Sequence, residues 1–218
     1  HPQRGTLDFA CVHIKRRTDA EHGRRHHGAR VTELDVDTAG RVDLDSVEHD
    51  VGAGGVAVVS VMTANNETGL VQDVAGVVEA VRRASGVTRP GESGYVPVHS
   101  DAVAAVGHVP VDVHGWGLDA LTLTGHKLGA PVGTGALIAR RDLALVSPTG
   151  GGRQERGLRS GTADVAGARA LALAVELAMA EREAEAARLE LLRSEVLARA
   201  TALPGVHATL PDDAPHLP

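Results

Sequence analysis

An α/β fold, a mostly parallel sheet covered by helices, is predicted by three features of the sequence. Apolar runs of strand length alternate with segments whose apolar residues recur at helical spacing. One run, Val56-Ala57-Val58-Val59-Ser60-Val61-Met62, is continuous rather than alternating, the pattern of a parallel strand covered on both faces. Turn residues separate the segments, most densely between Ser85 and Tyr95, where Gly86, Pro90, Gly91 and Gly94 fall together.

Each element follows in order. Residues 1–28 are rich in Arg and His and carry little periodic apolar signal, so they read as an irregular segment. Arg30-Val31-Thr32-Glu33-Leu34-Asp35-Val36 alternates like a half-exposed strand, and 42–51 reads as a short helix begun near Asp43. After the strand at 56–62, a helix is expected over 71–84, then the loop at 85–95. Val96-Pro97-Val98-His99-Ser100-Asp101 is a strand ending in a carboxylate. Two further short strands are expected at 120–123 and 135–139, and a long helix from Asp164 to Ala200, ended by Leu203-Pro204-Gly205. The last residues, 211–218, hold three prolines and read as a tail without a closing element. The resulting division is 1–28, an α/β domain over 29–163, and a helix that begins a second, smaller unit over 164–218.

Composition narrows the function classes. The formal net charge is -6, and no basic stripe is interleaved with aromatics, which argues against nucleic acid as the main ligand. No apolar run approaches the roughly 18–20 residues that span a bilayer, so a cytoplasmic protein is expected. The single cysteine, Cys11, rules out an internal disulfide or a Cys-rich metal site. His22, His26 and His27 cluster without a Cys or carboxylate spaced to complete a metal site, and read as part of a solvated basic segment. No metal is expected.

Polar groups sit at the ends of three apolar strands: Asn65-Asn66-Glu67 after the run at 56–62, Asp101 after Val98, and Thr124-Gly125-His126-Lys127 after Leu123. Ligands of α/β sheets gather at such ends. The set suits pyridoxal 5'-phosphate (PLP), which needs a lysine for a Schiff base, a carboxylate against its pyridine nitrogen, and hydrogen-bonding groups for its phenolic oxygen and phosphate. Taken singly the signals are weak, since a lysine in a Gly-rich turn is ordinarily a surface residue and an Asp at a strand end ordinarily a helix N-cap.

In order, these pieces resemble the successive motifs of the cysteine desulfurases, of the aminotransferase class V group. The motifs are Val59-Ser60-Val61-Met62-Thr63-Ala64-Asn65-Asn66-Glu67-Thr68-Gly69, His99-Ser100-Asp101-Ala102, Thr124-Gly125-His126-Lys127 and Glu155-Arg156-Gly157-Leu158-Arg159-Ser160-Gly161-Thr162. The likeness covers roughly residues 29–210. It implies the large PLP-binding domain of that group, with the start of the C-terminal small domain. It also implies a homodimer that takes L-cysteine as substrate, leaves alanine, and hands sulfur through a persulfide to an acceptor protein for iron-sulfur clusters or thio-cofactors. Lys127 would carry PLP and move the α-proton, Asp101 would pair with the pyridinium, and Asn66 would contact the phenolic oxygen. Thr124 and His126 would hold the phosphate, and Thr162 would reach a phosphate across the dimer. Selenocysteine lyase, another aminotransferase, and an inactive relative that only dimerises are the alternatives.

The sequence departs from the family pattern at several places. Ala104 stands where the family usually has a glutamine, which removes one hydrogen bond to the cofactor. The loop at 85–95 is longer, at small entropic cost. By the resemblance, a phosphate-contacting Ala-Thr segment would precede residue 1 and the persulfide cysteine would follow residue 218. Cys11 lies on the wrong side of the motifs for that role, and His1-Pro2 reads, by the resemblance, as a remnant of the family's Glu-His motif, whose histidine stacks on PLP. Gly150-Gly151-Gly152 lacks the lysine and hydroxyl of a Walker loop and reads as a flexible turn.

Overall fold

A computed structural model describes residues 8–11, 30–147 and 150–218, with the backbone alone for 8–11. His1-Pro2 and the cluster of His22, His26 and His27 lie outside the described residues. The elements run β1 (Asp8–Cys11), β2 (Arg30–Glu33), α1 (Leu44–Gly52), β3 (Val56–Met62), α2 (Val74–Ser85), β4 (Val98–Asp101), β5 (Ala120–Thr124), β6 (Gly135–Ala139) and α3 (Val165–Thr201). The strands form one six-stranded sheet in the order β2-β1-β3-β4-β5-β6. All neighbours are parallel except β5 and β6. The α/β fold with a mostly parallel sheet is therefore as the alternating pattern predicts.

β1 is the correction. It occupies an interior place between β2 and β3, inside a segment the sequence reading left irregular. Asp8-Phe9-Ala10-Cys11 lies within a mostly apolar run, Leu7 to Ile14, that the Arg- and His-rich composition of residues 1–28 obscures. Neighbours on both sides supply the ladder that its local sequence does not announce.

Boundaries move for local reasons. β4 begins at Val98 because Pro97 has no N–H for the ladder, although its carbonyl still accepts from Val59 N at 2.9 Å. Each α-helix starts behind an aspartate whose carboxylate accepts from an early backbone N–H: Asp43 from Asp45, Asp73 from Gly76 and Asp164 from Gly167. Asp73 thus sets the start of α2 at Val74 rather than Val71, which instead bridges to Ala64.

The core lies on one side of the sheet. Val59, Val61, Val98 and Leu121 are buried with Val47 and Val51 of α1 and Val74, Val77, Val78 and Val81 of α2. Valine and alanine dominate this layer, since they fill a thin sheet-on-helix interface when aromatics are nearly absent. The alternate residues of β3, Ser60 and Met62, are only half-buried. The continuous apolar run of β3 therefore does not correspond to a strand equally covered on both faces. Among the described residues, no helix is long and apolar enough to cross a membrane.

The tail also differs from expectation. Leu210 and Ala214 bury against Leu70, while Val71 N donates to Pro215 O at 2.9 Å and Leu217 N to Gly69 O at 2.7 Å. Residues 215–217 thus strap the turn after β3. Prolines mark this segment as non-helical, but say nothing of a partner 146 residues away in the chain (Leu70 to His216).

Candidate active site

Because β3, β4 and β5 are adjacent and parallel, their C-terminal ends lie side by side. Asn66 follows the first, Asp101 closes the second, and His126 and Lys127 follow the third. Register pairs Met62 with Asp101 and Asp101 with Thr122. The sheet edge therefore brings Asn66, Asp101, Thr124, His126 and Lys127 to one end of the domain.

The turn bearing Asn66 is built by its neighbour. Asn65 is buried, and its side-chain oxygen accepts from Glu67 N and Thr68 N, both at 2.9 Å. Its backbone N–H donates to Leu70 O at 2.8 Å, and Gly69 closes the turn at φ 82°. Asn65 is consumed internally, so Asn66 stands exposed with its amide uncommitted among the described residues.

Asp101 does not cap a helix. One carboxylate oxygen accepts from Val103 N at 2.9 Å, an Asx-type turn that fixes the side chain, and no described residue donates to the other oxygen. Thr124 and His126 meet, Oγ1 to Nδ1 at 2.9 Å. The ten residues from Gly125 to Thr134 are closed by Gly125 N donating to Thr134 O at 2.9 Å. Lys127 is exposed on this turn and makes no ion pair or hydrogen bond among the described residues.

Thr162 is placed differently. It is exposed two residues before the cap of α3, and no described hydrogen bond joins it to the strand ends. Ala104, in place of a glutamine, is half-buried against the core. A cavity of about 610 Å³ opens between the lysine turn and α3, lined by Lys127, Pro131, Leu173 and Glu185 among others. It touches none of Asn66, Asp101 and Thr124, and so is separate from the group at the strand ends.

One carboxylate oxygen, one amide and one amine thus share an edge without partners among the described residues, beside a hydroxyl and an imidazole. Uncommitted polar groups of those kinds fit PLP, whose pyridine nitrogen, phenolic oxygen and aldehyde want those partners. The sequence reading missed Ser60, His99 and Thr122, which form a hydrogen-bonded row on the same sheet face. Their signal was present as polar residues interrupting three apolar strands, but only strand register aligns them.

Residues 17–218 match the family described as aminotransferase class-V. The chain belongs to that family. Among curated class-V relatives, it is 42% identical over 173 residues to an IscS-like cysteine desulfurase of Mycobacterium tuberculosis, covering 79% of this chain and 42% of that protein. It is 38% identical over 180 residues to cysteine desulfurase IscS of Anaeromyxobacter dehalogenans, covering 82% of this chain and 42% of that protein. The chain spans about two fifths of the length of these relatives. A solved NifS-like protein superposes with a TM-score of 0.86 at 30% identity, over 99% of this chain and 56% of the other. A NifS-like protein from Rickettsia africae gives 0.84 at 25% identity, over 97% and 56%. The class-V assignment and the mostly parallel sheet thus agree.

Proposed function

We propose that this chain is the cofactor-holding part of a PLP-dependent cysteine desulfurase. The observation that carries the proposal is the alignment of three parallel strand ends that presents Asn66, Asp101 and Lys127 together, each with polar atoms no described residue satisfies. The desulfurase names of its relatives point the same way.

When bound, PLP supplies an electron sink for bonds at the α-carbon of an amino acid. The protein's part is placement and proton handling. Asp101, held by Val103 N, presents a carboxylate to the pyridine nitrogen and keeps it protonated. Asn66 donates to the phenolic oxygen. Thr124 and His126, already hydrogen-bonded, receive the phosphate, and Thr162 of a second copy reaches it across a homodimer. Lys127 would hold PLP through its Nζ and, with the cofactor bound, would move the α-proton of L-cysteine. The net change is L-cysteine to alanine, with the sulfur passing to a cysteine thiolate as a persulfide. A sulfur-acceptor protein, iron-sulfur cluster assembly and a cytoplasmic location complete the reading.

The test is covalent capture. PLP added to the purified protein should give a visible absorbance band that borohydride fixes, and the labelled peptide should contain Lys127. Lys127→Ala should abolish both. Equal labelling of wild type and variant would sink the assignment.

A further inference from the structure

The Ser60, His99 and Thr122 side chains form a continuous hydrogen-bonded row across three strands. His99 Nδ1 lies 2.8 Å from Ser60 Oγ, and its Nε2 lies 3.2 Å from Thr122 Oγ1. Alternation puts His99 and Asp101 on the same face of β4, since residues two apart in a strand point the same way. That face is the half-buried one; the opposite face carries Val59, Val61, Val98, Ser100 and Leu121, all buried. Register then makes Thr122 the cross-strand partner of Asp101. Thr122, held by His99, is therefore the β5 residue in register with Asp101 and on the same face of the sheet.

A hydrophobic side chain at 99 would serve the strand equally well as a packing unit. An imidazole with both ring nitrogens engaged by hydroxyls does something more: it fixes the orientation of two hydroxyl groups and ties β3 to β5 one step behind the site. We propose that His99 is a positioning residue for Asp101. Through Thr122 it holds β5 in register with Asp101, and so sets how tightly the strand ends hold the pyridine nitrogen of PLP. This rests on the proposed PLP reading of the strand-end site.

The obvious competitor is a cross-strand staple that stabilises the sheet and nothing else. PLP titration separates the two, with the dissociation constant and the position of the visible band as readouts and urea unfolding of the PLP-free protein run alongside. His99→Phe should weaken PLP about tenfold, the scale of one or two net hydrogen bonds, and shift the band. His99→Gln, which can keep one of the two bonds, should fall between. Ser60→Ala and Thr122→Val remove one bond each with little change of volume, and carry the test if His99→Phe does not fold. A staple would lower the urea midpoint while leaving dissociation constant and band at wild-type values, and that result overturns the proposal. A wild-type protein that shows no band at all overturns the PLP reading itself, and this inference with it.

Discussion

Arg82 donates to the buried Asp119 carboxylate at 2.6 Å, at the end of the sheet opposite the candidate site. Asp119 precedes β5, and the same oxygen accepts from Val98 N at 2.7 Å, so one carboxylate joins the starts of β4 and β5. Tyr95 hydroxyl donates to its other oxygen. Arg82 in turn donates to Val96 O at 2.5 Å and to the Tyr95 hydroxyl at 2.8 Å, with its guanidinium 4.4 Å from the ring centre. The long loop after α2 is thereby pinned to the sheet, leaving the strand starts fixed and the strand ends free to carry chemistry.

Removing Arg82 leaves a buried carboxylate short of its main countercharge. Arg82→Leu should cost about 3 kcal/mol of stability, the low end for a broken buried pair. Its neighbour Arg83 is the control. Arg83 pairs with Glu48 at 2.6 Å, but both are well exposed, and Arg83→Leu should cost under about 1 kcal/mol. Urea midpoints of the two variants check this, and equal losses would contradict the role given to Asp119.

Burial, and then the hydrogen bond to Asp119, push the Tyr95 hydroxyl up to about 12, with Arg82 and Arg140 pulling the other way. The neutral phenol is the form the fold favours. Its contribution is complete below pH 10, the ordinary tyrosine value, and is lost as pH rises from 10 through 12. The stability difference between wild type and Tyr95→Phe should therefore be constant at neutral pH and shrink over that window. Tyr95 is the only tyrosine, so phenolate absorbance of the native protein reports it alone. A midpoint near 10 in the folded state would refute the prediction.

Strands were legible where a local pattern sufficed. The runs at 56–62 and 135–139 coincide with β3 and β6, and Asp43 caps α1 as its position before an apolar helix suggests. The members of the candidate site could be named because each follows a strand, and parallel topology then aligns them. What stayed hidden depends on pairing between distant residues. β1 is defined by its neighbours, the Arg82–Asp119 pair joins residues 37 apart, and His99 acquires meaning only once β3 and β5 flank it. No periodicity encodes such contacts, because the side chains involved are ordinary within their own segments.

Gly125, immediately before the His126-Lys127 pair, is required by space. A Cβ there would overlap Thr134 Oγ1 and lie 2.9 Å from the Ala130 methyl. Thr134 Oγ1 donates to Pro131 O at 2.7 Å and cannot move without breaking that bond. Gly125→Ala should cost roughly 1–3 kcal/mol as an overpacked position, and should displace Lys127 enough to reduce borohydride-dependent PLP labelling. Thr134→Ala clears the first clash. The double variant should recover part of both losses, a coupling that a double-mutant cycle reads directly, whereas strictly additive losses would show that crowding at Thr134 is not the cause.

The tail contact makes a claim about the turn that carries Asn66. Leu70 is fully buried among Leu210 and Ala214, and two backbone bonds, Val71 N to Pro215 O and Leu217 N to Gly69 O, join the turn to the tail. Truncation after Asp213 should therefore expose Leu70 and release the Val71 amide, whose acceptor is Pro215 O. The next amide, Gln72, donates to Thr63 O within the turn's own base and should stay protected. Hydrogen exchange resolved to single residues distinguishes these neighbours. Loss of protection at Val71 with retention at Gln72 means that the tail clamps one side of the turn only; loss at both means that the whole turn depends on the strap. Unchanged exchange at Val71 would show that the tail does not hold it.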